Sequence, residues 1–584
     1  MVKFHPSNLL EILREAANSQ QKKGIKFLRN GQQHDYLSYQ DVYVRASCLA
    51  RKLRNSYEIG KLERIAITLP TSPEYVCAFF GILASGAVPV TLPHPSRVIA
   101  SKKYANRIKG AVTQSRIKYV LGNQKVAKTL ANELDLSSKL DIKVVLVDEL
   151  LCNLNSAFSI SDIDLDTGVA LNTNDPAIIQ YTSGSTSAPK GVILTHQQVI
   201  ANLDAIRFGL DIVSNDICCS WLPLFHDMGL IGCLLGSIYN NIDLLLMNPI
   251  DFIRDPVNWL KLFGKFKATV SAAPNSAYLR CVQRTDTDQL NLLDLSSWRI
   301  AMNGAEFVDS ETIDKFAQHF QNTGFQPEAF MPVYGMAEAC LAVTFPPVNR
   351  KYISVEVDRK LLNKGIVEIL PQDSKTVDIE HFPRRFISVG SAVKGIDINV
   401  LSSNILTKEE NKLGQICIRG NSVTSGYDYD EIQTQKSYLN GWFCTGDLGF
   451  FHDGELFVVG RVKDVIILNG QNYYTHDLEF IVSQVDGLIP QGIMALSLRK
   501  QGQENLVILA EISKNYPNCE RENIVSFVRQ LLFSSIGISP LDIVLFRQGK
   551  LPRTSSGKLQ RHKGAQLYLS HYAEQALETI TFVS

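Results

Sequence analysis

Short apolar runs alternate with helical patterns through the first two thirds of the chain. Three of these runs predict strands, at Arg64–Leu69, Ala87–Leu92 and Ile117–Leu121, and the stretch Glu74–Ala84 predicts a helix between the first two. A fourth run follows at Lys143–Val147. Strands that are apolar on both faces are typical of parallel sheets, whose faces are covered by crossover helices. The pattern therefore predicts an α/β fold with a buried, largely parallel sheet.

The same pattern continues around a segment rich in Gly, Ser and Thr. Ala177–Tyr181 and Gly191–Leu194 predict two strands on either side of this segment. Thr195 and Gln198 then carry the signature of a capping box, in which two side chains satisfy backbone donors at a helix start. Apolar residues at helical spacing follow on one face: Val199, Leu203, Ile206 and Leu210. We expect strand, loop, strand and helix in this order.

The pattern changes near residue 450. The run Phe450–Val459 carries Asp453-Gly454 at its centre, and Asp-Gly supplies the positive φ values of a type I′ hairpin turn. The polar segment Gly460–Asp464 separates this hairpin from about 120 further residues, enough for a small independent domain. The predicted units are a large N-terminal domain over residues 1–460, a hinge over 461–464 and a small mobile α+β domain over 465–584.

Composition excludes several classes of protein. The 584 residues carry 59 Lys and Arg against 58 Asp and Glu, so no net field exists to hold a nucleic acid or an anionic membrane surface. No run approaches the roughly 18 apolar residues of a membrane span, and the N-terminal helix pattern lacks the apolar core of a signal peptide. The 11 cysteines show no Cys-x-x-Cys spacing. We expect a cytoplasmic, reducing compartment and no nucleic acid partner.

The strongest local motif is YTSGSTSAPKGV, from Tyr181 to Val192. Small residues let backbone N–H groups surround phosphate oxygens, hydroxyls add donors, and Lys190 adds a positive charge. The motif differs from the P-loop of NTPases, because Lys190 lies between Pro189 and Gly191 and leads into a strand. Composition alone favours a flexible surface hairpin loop. The order of the residues favours a phosphate-binding loop.

Five motifs in a fixed order carry a resemblance to a known family. They are YTSGSTSAPKGV, Tyr334-Gly-Met-Ala-Glu338, Gly441-Trp-Phe-Cys-Thr-Gly-Asp447, Gly460-Arg461-x-Lys463-Asp464 and Pro552-Arg-Thr-Ser-Ser-Gly-Lys558. They cover nearly the whole chain and resemble the adenylate-forming superfamily of acyl-CoA synthetases, luciferases and peptide-synthetase adenylation domains. The resemblance implies a large N-terminal domain of sheets flanked by helices, a hinge and a small mobile C-terminal domain. It also implies that ATP activates a carboxylic acid to an acyl-adenylate.

The resemblance implies a role for each motif in that reaction, in which a carboxylate attacks the α-phosphorus of ATP and pyrophosphate leaves. Lys190 and the polar loop would hold the β- and γ-phosphates, and Glu338 would hold Mg²⁺, a hard cation that prefers oxygen ligands. Lys558 would bridge the carboxylate and the α-phosphate, stabilising the charge that develops between them. The loop residues assigned to phosphate are Thr182, Ser183, Gly184, Ser185 and Thr186.

Other motifs imply contacts with the nucleoside. Tyr334 would lie against the adenine, and Asp447 offers two acceptor oxygens that suit the paired ribose hydroxyls. Arg461 would reach the ribose or the α-phosphate. The other residues assigned to the nucleotide are the loop Asn303, Gly304, Ala305 and Glu306, which resembles the segment that frames the adenine, and Gly335, Met336 and Ala337.

The segment that begins at Trp221 resembles the border of the family's acid pocket, and we predict Phe225, His226, Gly229 and Gly232 in the pocket wall. Gly229, Gly232 and Gly236 fall at i, i+3 and i+7, which on an α-helix leaves one face without side chains. A long apolar chain could lie in that groove. Close helix packing through small residues explains the same glycines equally well. The segment lacks an acidic residue placed for an α-ammonium group, which disfavours an amino acid substrate.

The sequences of three segments resemble those of the fatty acyl-AMP ligases most. These segments are His226–Leu230, Asn303–Glu306 and Ile466–Tyr474. Many CoA ligases carry a lysine where Ile467 stands, and residues 349–385 form additional sequence of the kind that impedes CoA transfer in fatty acyl-AMP ligases. The alternative for this insertion is a neutral surface loop.

We therefore expect a fatty acid–AMP ligase that uses ATP and Mg²⁺. A medium- or long-chain fatty acid would become acyl-AMP, and the acyl group would pass to the phosphopantetheine of an acyl carrier protein. Two alternatives stay open. One is a fatty acyl-CoA synthetase, and the other is a catalytically silent protein that binds acyl nucleotides.

Overall fold

A computed structural model shows a large N-terminal domain of sheets flanked by helices, followed by a smaller C-terminal domain. The residues that the structure describes are 6–95, 101–133, 142–151, 169–182, 190–371, 383–468, 471–500, 503–514, 516, 521–553 and 558–572. The α-helices are Leu9–Asn18, Tyr39–Tyr57, Pro73–Ala84, Ser101–Gln114, Gln124–Glu133, Val147–Leu151, His196–Gly209, Gly236–Tyr239, Pro249–Arg254, Val257–Phe266, Asn275–Arg284, Thr287–Leu290, Ser310–His319, Arg359–Asn363, Glu431–Lys436, Thr475–Ser483, Arg521–Ile536 and Arg561–Tyr572.

The first large sheet confirms the predicted alternation of strands and helices. Its strand order is Lys143–Leu146, Tyr119–Gly122, Arg64–Ile67, Val88–Thr91, Pro176–Tyr181 and Gly191–Thr195. All neighbours are parallel except the last two, which form an antiparallel hairpin around the predicted phosphate loop. The capping box of Thr195 and Gln198 is confirmed at the start of the next helix.

The second large sheet has seven strands. Its order is Phe330–Pro332, Ile300–Asn303, Val270–Ala273, Ile217–Ser220, Asp243–Met247, Gly24–Arg29 and Gln32–Ser38, with only the last pair antiparallel. One extensive hydrophobic core joins the helices of both large sheets. The strands of these sheets are short and mostly buried, as the apolar runs predict.

A third sheet confirms the predicted hairpin near residue 450. Its strands are Ile405–Thr407, Ile396–Ser402, Gly414–Gly420, Trp442–His452 and Tyr438–Leu439, with Glu455–Arg461 paired to Trp442–His452. His452 and Glu455 face each other across a two-residue turn, and Asp453 and Gly454 have φ values of +49° and +73°. These positive values are those of a type I′ turn. A short three-stranded sheet contains Tyr334–Gly335, Ala342–Phe345 and Ser391–Ala392.

The C-terminal residues build their own hydrophobic cores. The strands are the hairpin Val465–Leu468 and Gln471–Tyr474, and a sheet of Leu488–Lys500, Gln503–Ile512 and Asp542–Arg547. Helices Thr475–Ser483 and Arg521–Ile536 pack together against this sheet. The residues of the predicted hinge form a short 3₁₀ turn over Val462–Asp464. The predicted domain limits and the mobility of this domain stay predictions.

The insertion predicted over residues 349–385 contains a small sheet, with residues 372–382 outside the described part. Its strand order is Ile369–Leu370, Ser354–Asp358 and Pro383–Ile387. Val355 and Val357 of the insertion share a hydrophobic cluster with Phe450, Phe457 and Tyr474. The described part of the insertion is therefore packed against both domains and is not a loop lying on the surface, while its effect on CoA transfer stays a prediction.

Helical geometry differs from the expectation in one segment. Met228–Leu235, which contains two of the predicted groove glycines, forms a π-helix that continues into Gly236–Tyr239. A π-helix has i to i+5 hydrogen bonds and hence a wider turn than an α-helix. The glycine spacing predicted for an α-helical face therefore does not apply here. In the described part of the chain, no helix is long and apolar enough to cross a membrane, and the nine cysteines there are free.

A buried histidine ties the first helix to the core. The backbone N–H of Leu9 donates to Nδ1 of His196, at 3.2 Å. Burial lowers the pKa of His196 to about 4, from an ordinary value of 6.5. The imidazole is therefore neutral, and its Nδ1 serves as an acceptor.

The low pKa of His196 predicts a pH-dependent stability. Between pH 6.5 and about 4 the unfolded chain binds the proton that the folded chain excludes, so the free energy of unfolding falls as the pH falls. This group contributes up to about 1.4 kcal/mol per pH unit in that window. His196→Asn keeps an acceptor for Leu9 but cannot titrate, so thermal unfolding across the window should show a shallower pH slope. Equal slopes for both proteins would contradict the assignment.

Candidate active site

The carboxyl ends of three parallel strands define the candidate site. Val270–Ala273, Ile300–Asn303 and Phe330–Pro332 are neighbours and end at the same edge of the seven-stranded sheet. The loop that starts at Asn303 and the strand Tyr334–Gly335 continue from this edge. Open α/β sheets bind ligands at the carboxyl ends of their strands. Two segments predicted to contact the nucleotide are thus brought together.

Close backbone contacts shape the loop after Asn303. A Cβ atom on Gly304 would lie 2.7 Å from Cγ2 and 2.9 Å from the carbonyl oxygen of Val333, so only glycine fits. Ala305 follows with a φ of +66°, which is unusual for a residue with a side chain. Such strain is found where a structure fixes a backbone group for function. Here the group is the Ala305 carbonyl, which accepts a hydrogen bond from Lys558.

Asn303 and Glu306 have different partners in this loop. The side-chain Nδ2 of Asn303 donates to Asn275 Oδ1 at 3.0 Å, and its buried Oδ1 has no hydrogen-bond partner among the described residues. Glu306 accepts from the backbone N–H and the hydroxyl of Ser276, at 2.9 and 3.2 Å. Glu306 thereby holds the loop against the start of helix Asn275–Arg284, while Asn303 keeps an acceptor for a ligand donor.

Asp447 lies between Tyr334 and Arg461. The Tyr334 hydroxyl donates to Asp447 Oδ2 at 2.7 Å, and Arg461 Nε donates to Oδ1 at 3.1 Å. The expectation of two free oxygens is wrong, since each oxygen already accepts one hydrogen bond. A carboxylate has about four acceptor sites, so each oxygen can accept once more. Tyr334 and Arg461 therefore orient Asp447 in a way that still allows two ligand hydroxyls to bind.

Lys558 brings the C-terminal domain into the site. Its Nζ donates to the carbonyl oxygen of Ala305, and the side chain is half-buried. Burial lowers the pKa of its ammonium group, and the carboxylates of Glu306 and Asp227 act in the opposite direction. Lys558 is therefore not a solvent-exposed residue of a C-terminal tail. The structure places the residue predicted to bridge the two reactants next to the loop predicted to frame the adenine.

Tyr427 joins the other two predicted catalytic residues. Its hydroxyl donates to Glu338 Oε1 at 2.9 Å, and Lys190 Nζ lies 5.0 Å from the centroid of its ring. Burial lowers the pKa of Lys190, and it raises the pKa of Glu338, to which the charge of Asp227 adds. Sequence analysis missed Tyr427. No local pattern marks it, because its contact with Glu338 joins residues 89 positions apart.

Asp227 is a second carboxylate that sequence analysis left without a role. It accepts a hydrogen bond from the backbone N–H of Met228 at 2.8 Å, at the start of the π-helix. Burial raises the pKa of Asp227, whereas Lys558 lowers it. Burial also lowers the pKa of the neighbouring His226 to about 3, with a further contribution from Lys558. His226 is therefore neutral at pH 7.

The remaining predicted residues lie in two turns. Thr182 N–H donates to the Lys190 carbonyl at 3.0 Å and closes the hairpin. A Cβ atom on Gly335 would lie 2.0 Å from the carbonyl oxygen of Leu341, and Met336 N–H donates to the same oxygen at 2.8 Å. Ala337 begins the 3₁₀ turn that carries Glu338. Ser183, Gly184, Ser185 and Thr186 lie outside the described residues.

An apolar cavity leads away from this site. It holds about 840 Å³ of empty space, including its opening. Asp227, Ala305 and Tyr334 line it at the adenylating end. Its lining also includes Val270, which begins the strand whose carboxyl end lies at the site, and Leu210, which directly follows helix His196–Gly209. The cavity therefore runs back along the sheet, between the sheet and the π-helix.

Only one of the four predicted pocket residues lines this cavity. Gly232 does so, and a Cβ atom there would lie 2.8 Å from the end of the Leu341 side chain. A Cβ atom on Gly229 would lie 2.3 Å from the Pro223 carbonyl oxygen, which is the close packing considered as the alternative. The Phe225 carbonyl accepts from Gln180 at 2.7 Å, and its ring contacts His226. Phe225, His226 and Gly229 are not in the lining of the described cavity.

The sequence model of a protein family described as AMP-binding enzyme matches residues 13–428, which is more than half of the chain. This chain belongs to the AMP-binding enzyme family. The match extends from the first helix to Asp428, the residue after Tyr427. It therefore contains Lys190, Glu338 and the whole lining of the cavity.

Relatives of this AMP-binding enzyme extend over its full length. The chain is 32% identical over 570 residues to the medium-chain-fatty-acid (acyl-carrier-protein) ligase JamA of Moorena producens (strain JHB), which covers 95% of this chain and 94% of the relative. A solved structure from studies of fatty acyl-adenylate ligases of E. coli and L. pneumophila matches with 31% identity and a TM-score of 0.87, covering 97% of this chain and 99% of that one.

A second solved structure was determined with reaction components bound. It is a fatty acyl-adenylate ligase from L. pneumophila in complex with acyl adenylate and pyrophosphate, 28% identical, with a TM-score of 0.70 and 98% of both chains covered. The predicted membership of the adenylate-forming superfamily is thus confirmed, and so is its α/β fold with a large and a small domain.

Proposed function

We propose that this AMP-binding enzyme is a fatty acyl-AMP ligase that transfers its product to an acyl carrier protein. One observation carries the proposal: an apolar cavity is lined by Asp227 and Ala305 at the end where the Ala305 carbonyl accepts a hydrogen bond from Lys558. A fatty acid in the cavity would present its carboxylate at this point. The similarity to JamA and to fatty acyl-adenylate ligases supports the same substrate class.

The chemistry follows from the positions of the charges. An oxygen of the fatty acid carboxylate attacks the α-phosphorus of ATP, a new O–P bond forms, and the bond to pyrophosphate breaks. Lys558 is placed to stabilise the negative charge that develops between the two anions. Lys190 would hold the leaving phosphates, and Tyr427 keeps Lys190 and Glu338 in place. Asp447 would accept from the ribose hydroxyls.

The residues present fit a magnesium ion that is shared with the substrate. In the described part of the chain, no group of three or more His, Cys, Asp or Glu side chains forms a closed metal cage. Mg²⁺ usually keeps several waters and binds through one or two carboxylates together with substrate phosphates. Glu338, whose pKa is raised by burial, would supply such a carboxylate. The ion would screen the charge of the phosphates near it.

The acceptor is the least constrained part of the proposal. JamA, which is similar to this chain, is an acyl-carrier-protein ligase. Ile467 is half-exposed on the first strand of the C-terminal domain, where a CoA ligase would carry a lysine. Both observations support a carrier protein rather than CoA. A cytoplasmic location, in which the described cysteines would stay reduced, belongs to the same proposal.

A two-stage incubation tests this function. The purified protein is first mixed with decanoic acid, ATP and Mg²⁺, and pyrophosphate and acyl-AMP are measured. CoA or a holo-acyl carrier protein is then added, and the acyl thioester is quantified by mass spectrometry. We expect acyl-AMP in the first stage and transfer to the carrier in the second. Pyrophosphate release that does not depend on fatty acid would refute the proposal.

Gly232 offers a direct test of the cavity. We expect Gly232→Leu to abolish the use of long acids while sparing short ones, because the new side chain extends past Leu341 into the cavity. Pyrophosphate release with a series of fatty acids measures this change. Gly110→Leu is the matched control, since nothing lies within 4 Å of a Cβ atom there.

Gly229 separates a pocket role from a packing role. Gly229→Ala should lower the melting temperature, because its Cβ atom would overlap the Pro223 carbonyl, and overpacking costs about 1–3 kcal/mol. Its chain-length preference should stay that of the wild type. If Gly232→Leu instead lowered the melting temperature without changing chain-length preference, the cavity would not be the acyl pocket.

A further inference from the structure

The far part of the cavity carries two polar side chains among apolar ones. Ser237 and Asn240 belong to its lining, and Ser237 is only 1% exposed. Ser237 Oγ and Asn240 Oδ1 are buried and have no nitrogen or oxygen partner among the described residues; the Cys218 thiol beside Ser237 is only a weak hydrogen-bonding group. Asn240 Nδ2 donates to the Gly236 carbonyl at 2.8 Å, which identifies Oδ1 as the unpaired atom. Buried polar atoms are almost always paired, so two unpaired atoms in one cavity need an explanation.

These two atoms lie at the end of the cavity that is opposite to the candidate adenylating site. Asp227 lies at the start of the π-helix, and Ser237 and Asn240 lie in and just after the helix that continues it. At a rise of about 1.5 Å per residue, the segment from Asp227 to Asn240 spans at most about 20 Å. Cys218 and Val270, near the starts of the neighbouring strands, line the same part of the cavity. The two polar atoms thus lie where the chain end of a bound acid would reach.

The donor and acceptor pattern favours a hydroxyl group there. Asn240 Oδ1 can only accept a hydrogen bond, while the Ser237 hydroxyl can donate one. An O–H group would donate to the first and accept from the second. A methyl group would leave both atoms unpaired in an apolar cavity. A second carboxylate would meet no cation, because the lining residues include no lysine or arginine. An ammonium group would meet no carboxylate, because Asp227 lies at the other end.

We propose that the acyl pocket selects medium-chain acids that carry a hydroxyl group at the ω end, which binds Ser237 and Asn240. This proposal rests on the proposed function, since it names the substrate of the same pocket. An extended chain advances about 1.2 Å per bond, by analogy with three backbone bonds per 3.3–3.6 Å. A cavity of at most about 20 Å therefore suits acids with about 8 to 12 carbons once both ends are bound.

The experiment compares matched acids that differ only in the terminal group. Pyrophosphate release is measured with ω-hydroxydecanoic acid and with decanoic acid, and the series is repeated with the octanoic and dodecanoic pairs. We expect kcat/KM to be about 10-fold to 100-fold higher for the best hydroxylated acid, the range that unpaired buried polar groups produce. Equal kcat/KM values, or a preference for the methyl-ended acids, would overturn the proposal and indicate that water pairs the two atoms.

Variants connect this preference to the two side chains. Ser237→Ala removes a hydroxyl whose neighbour is the weakly hydrogen-bonding Cys218 thiol, so the protein should fold normally. The preference for the hydroxylated acid should fall about 10-fold in Ser237→Ala and in Asn240→Ala. Ile206→Val changes an apolar lining residue, so it should change kcat/KM by the same factor for the hydroxylated and the methyl-ended acid. If Ser237→Ala kept the wild-type preference for the hydroxylated acid, the proposal that Ser237 binds the terminal hydroxyl would be overturned.

The two proposals fail in different ways. If no fatty acid of either kind supports pyrophosphate release, the fatty acyl-AMP ligase function fails. If decanoic acid is activated as well as its hydroxylated analogue, the enzymatic function stands, and Ser237 and Asn240 do not select the substrate.

Discussion

Lys558→Ala is expected to lower acyl-AMP formation by about 10²–10³-fold, the usual loss when one preorganised charge stabiliser is removed. The ammonium group lies against the Ala305 carbonyl, at the junction of the cavity and the nucleotide site. In the proposed reaction the two anions would meet at this point, so the charge of Lys558 would matter most as the new bond forms. Pyrophosphate release with saturating fatty acid and ATP measures the effect.

The stability of the Lys558 variant should change little. One hydrogen bond to a carbonyl is lost, which is worth about 1 kcal/mol. Lys550→Ala is the matched control, because this lysine lies exposed on a turn of the same domain. It should retain wild-type activity, and Lys558→Arg should fall between the two. Near-normal pyrophosphate release by Lys558→Ala would remove this residue from the mechanism.

Sequence alone predicts much of the fold where the pattern is local. The apolar runs predict the six-stranded sheet, the Thr195 and Gln198 pair predicts a helix start, and Asp453-Gly454 predicts a hairpin. Each signal involves residues within a few positions of each other, so the chain itself carries the information. The five motifs occur along the chain in the order seen in the adenylate-forming superfamily, and this resemblance implies the order of the domains.

The site is less predictable because its contacts join distant segments. Tyr427 reaches Glu338 across 89 positions, and Tyr334 reaches Asp447 across 113. Residue type identifies Asp447 as an acceptor but cannot show that a tyrosine already occupies one of its sites. The π-helix at Met228–Leu235 is a third example, since the sequence pattern of an α-helix and that of a π-helix do not differ visibly. Of the three glycines predicted from α-helical spacing, Gly232 and Gly236 line the cavity, whereas Gly229 packs against the Pro223 carbonyl.

The insertion is the clearest case of structure changing an expectation. A short connection in its place would expose the cluster that Val355 and Val357 share with Phe450, Phe457 and Tyr474. A surface loop could be shortened without loss of stability. Shortening this packed insertion would also destabilise the protein, so it is a poor test of the insertion's role. A single contact offers a sharper test. Arg384 in the insertion pairs with Asp477 in the C-terminal domain, with Nη1 and Oδ1 2.6 Å apart and both side chains less than 10% exposed.

This pair holds the insertion to helix Thr475–Ser483 of the small domain. The Arg384 guanidinium also lies 4.4 Å from the ring centroid of Phe386 and 5.8 Å from that of Tyr474. Removing one partner of a buried ion pair costs about 3–5 kcal/mol, because the other charge is left unpaired. Replacing both partners by apolar residues is often neutral. The double variant Arg384→Met, Asp477→Leu should therefore fold and still form acyl-AMP.

We expect this double variant to form acyl-CoA about tenfold or more above the wild type, which should form almost none. If the C-terminal domain must turn away from the insertion before thiol transfer, a weaker contact raises the fraction of protein in the transfer arrangement. A tenfold change needs about 1.4 kcal/mol of such weakening. Thioester formation from preformed acyl-AMP and CoA isolates this step from adenylation. Arg385→Met is the matched control, because Arg385 follows Arg384 in the same strand and forms an exposed ion pair with Asp314 of helix Ser310–His319. Brisk acyl-CoA synthesis by the wild type would assign the protein to the CoA synthetases, and a double variant that gains none would transfer the block to Ile467.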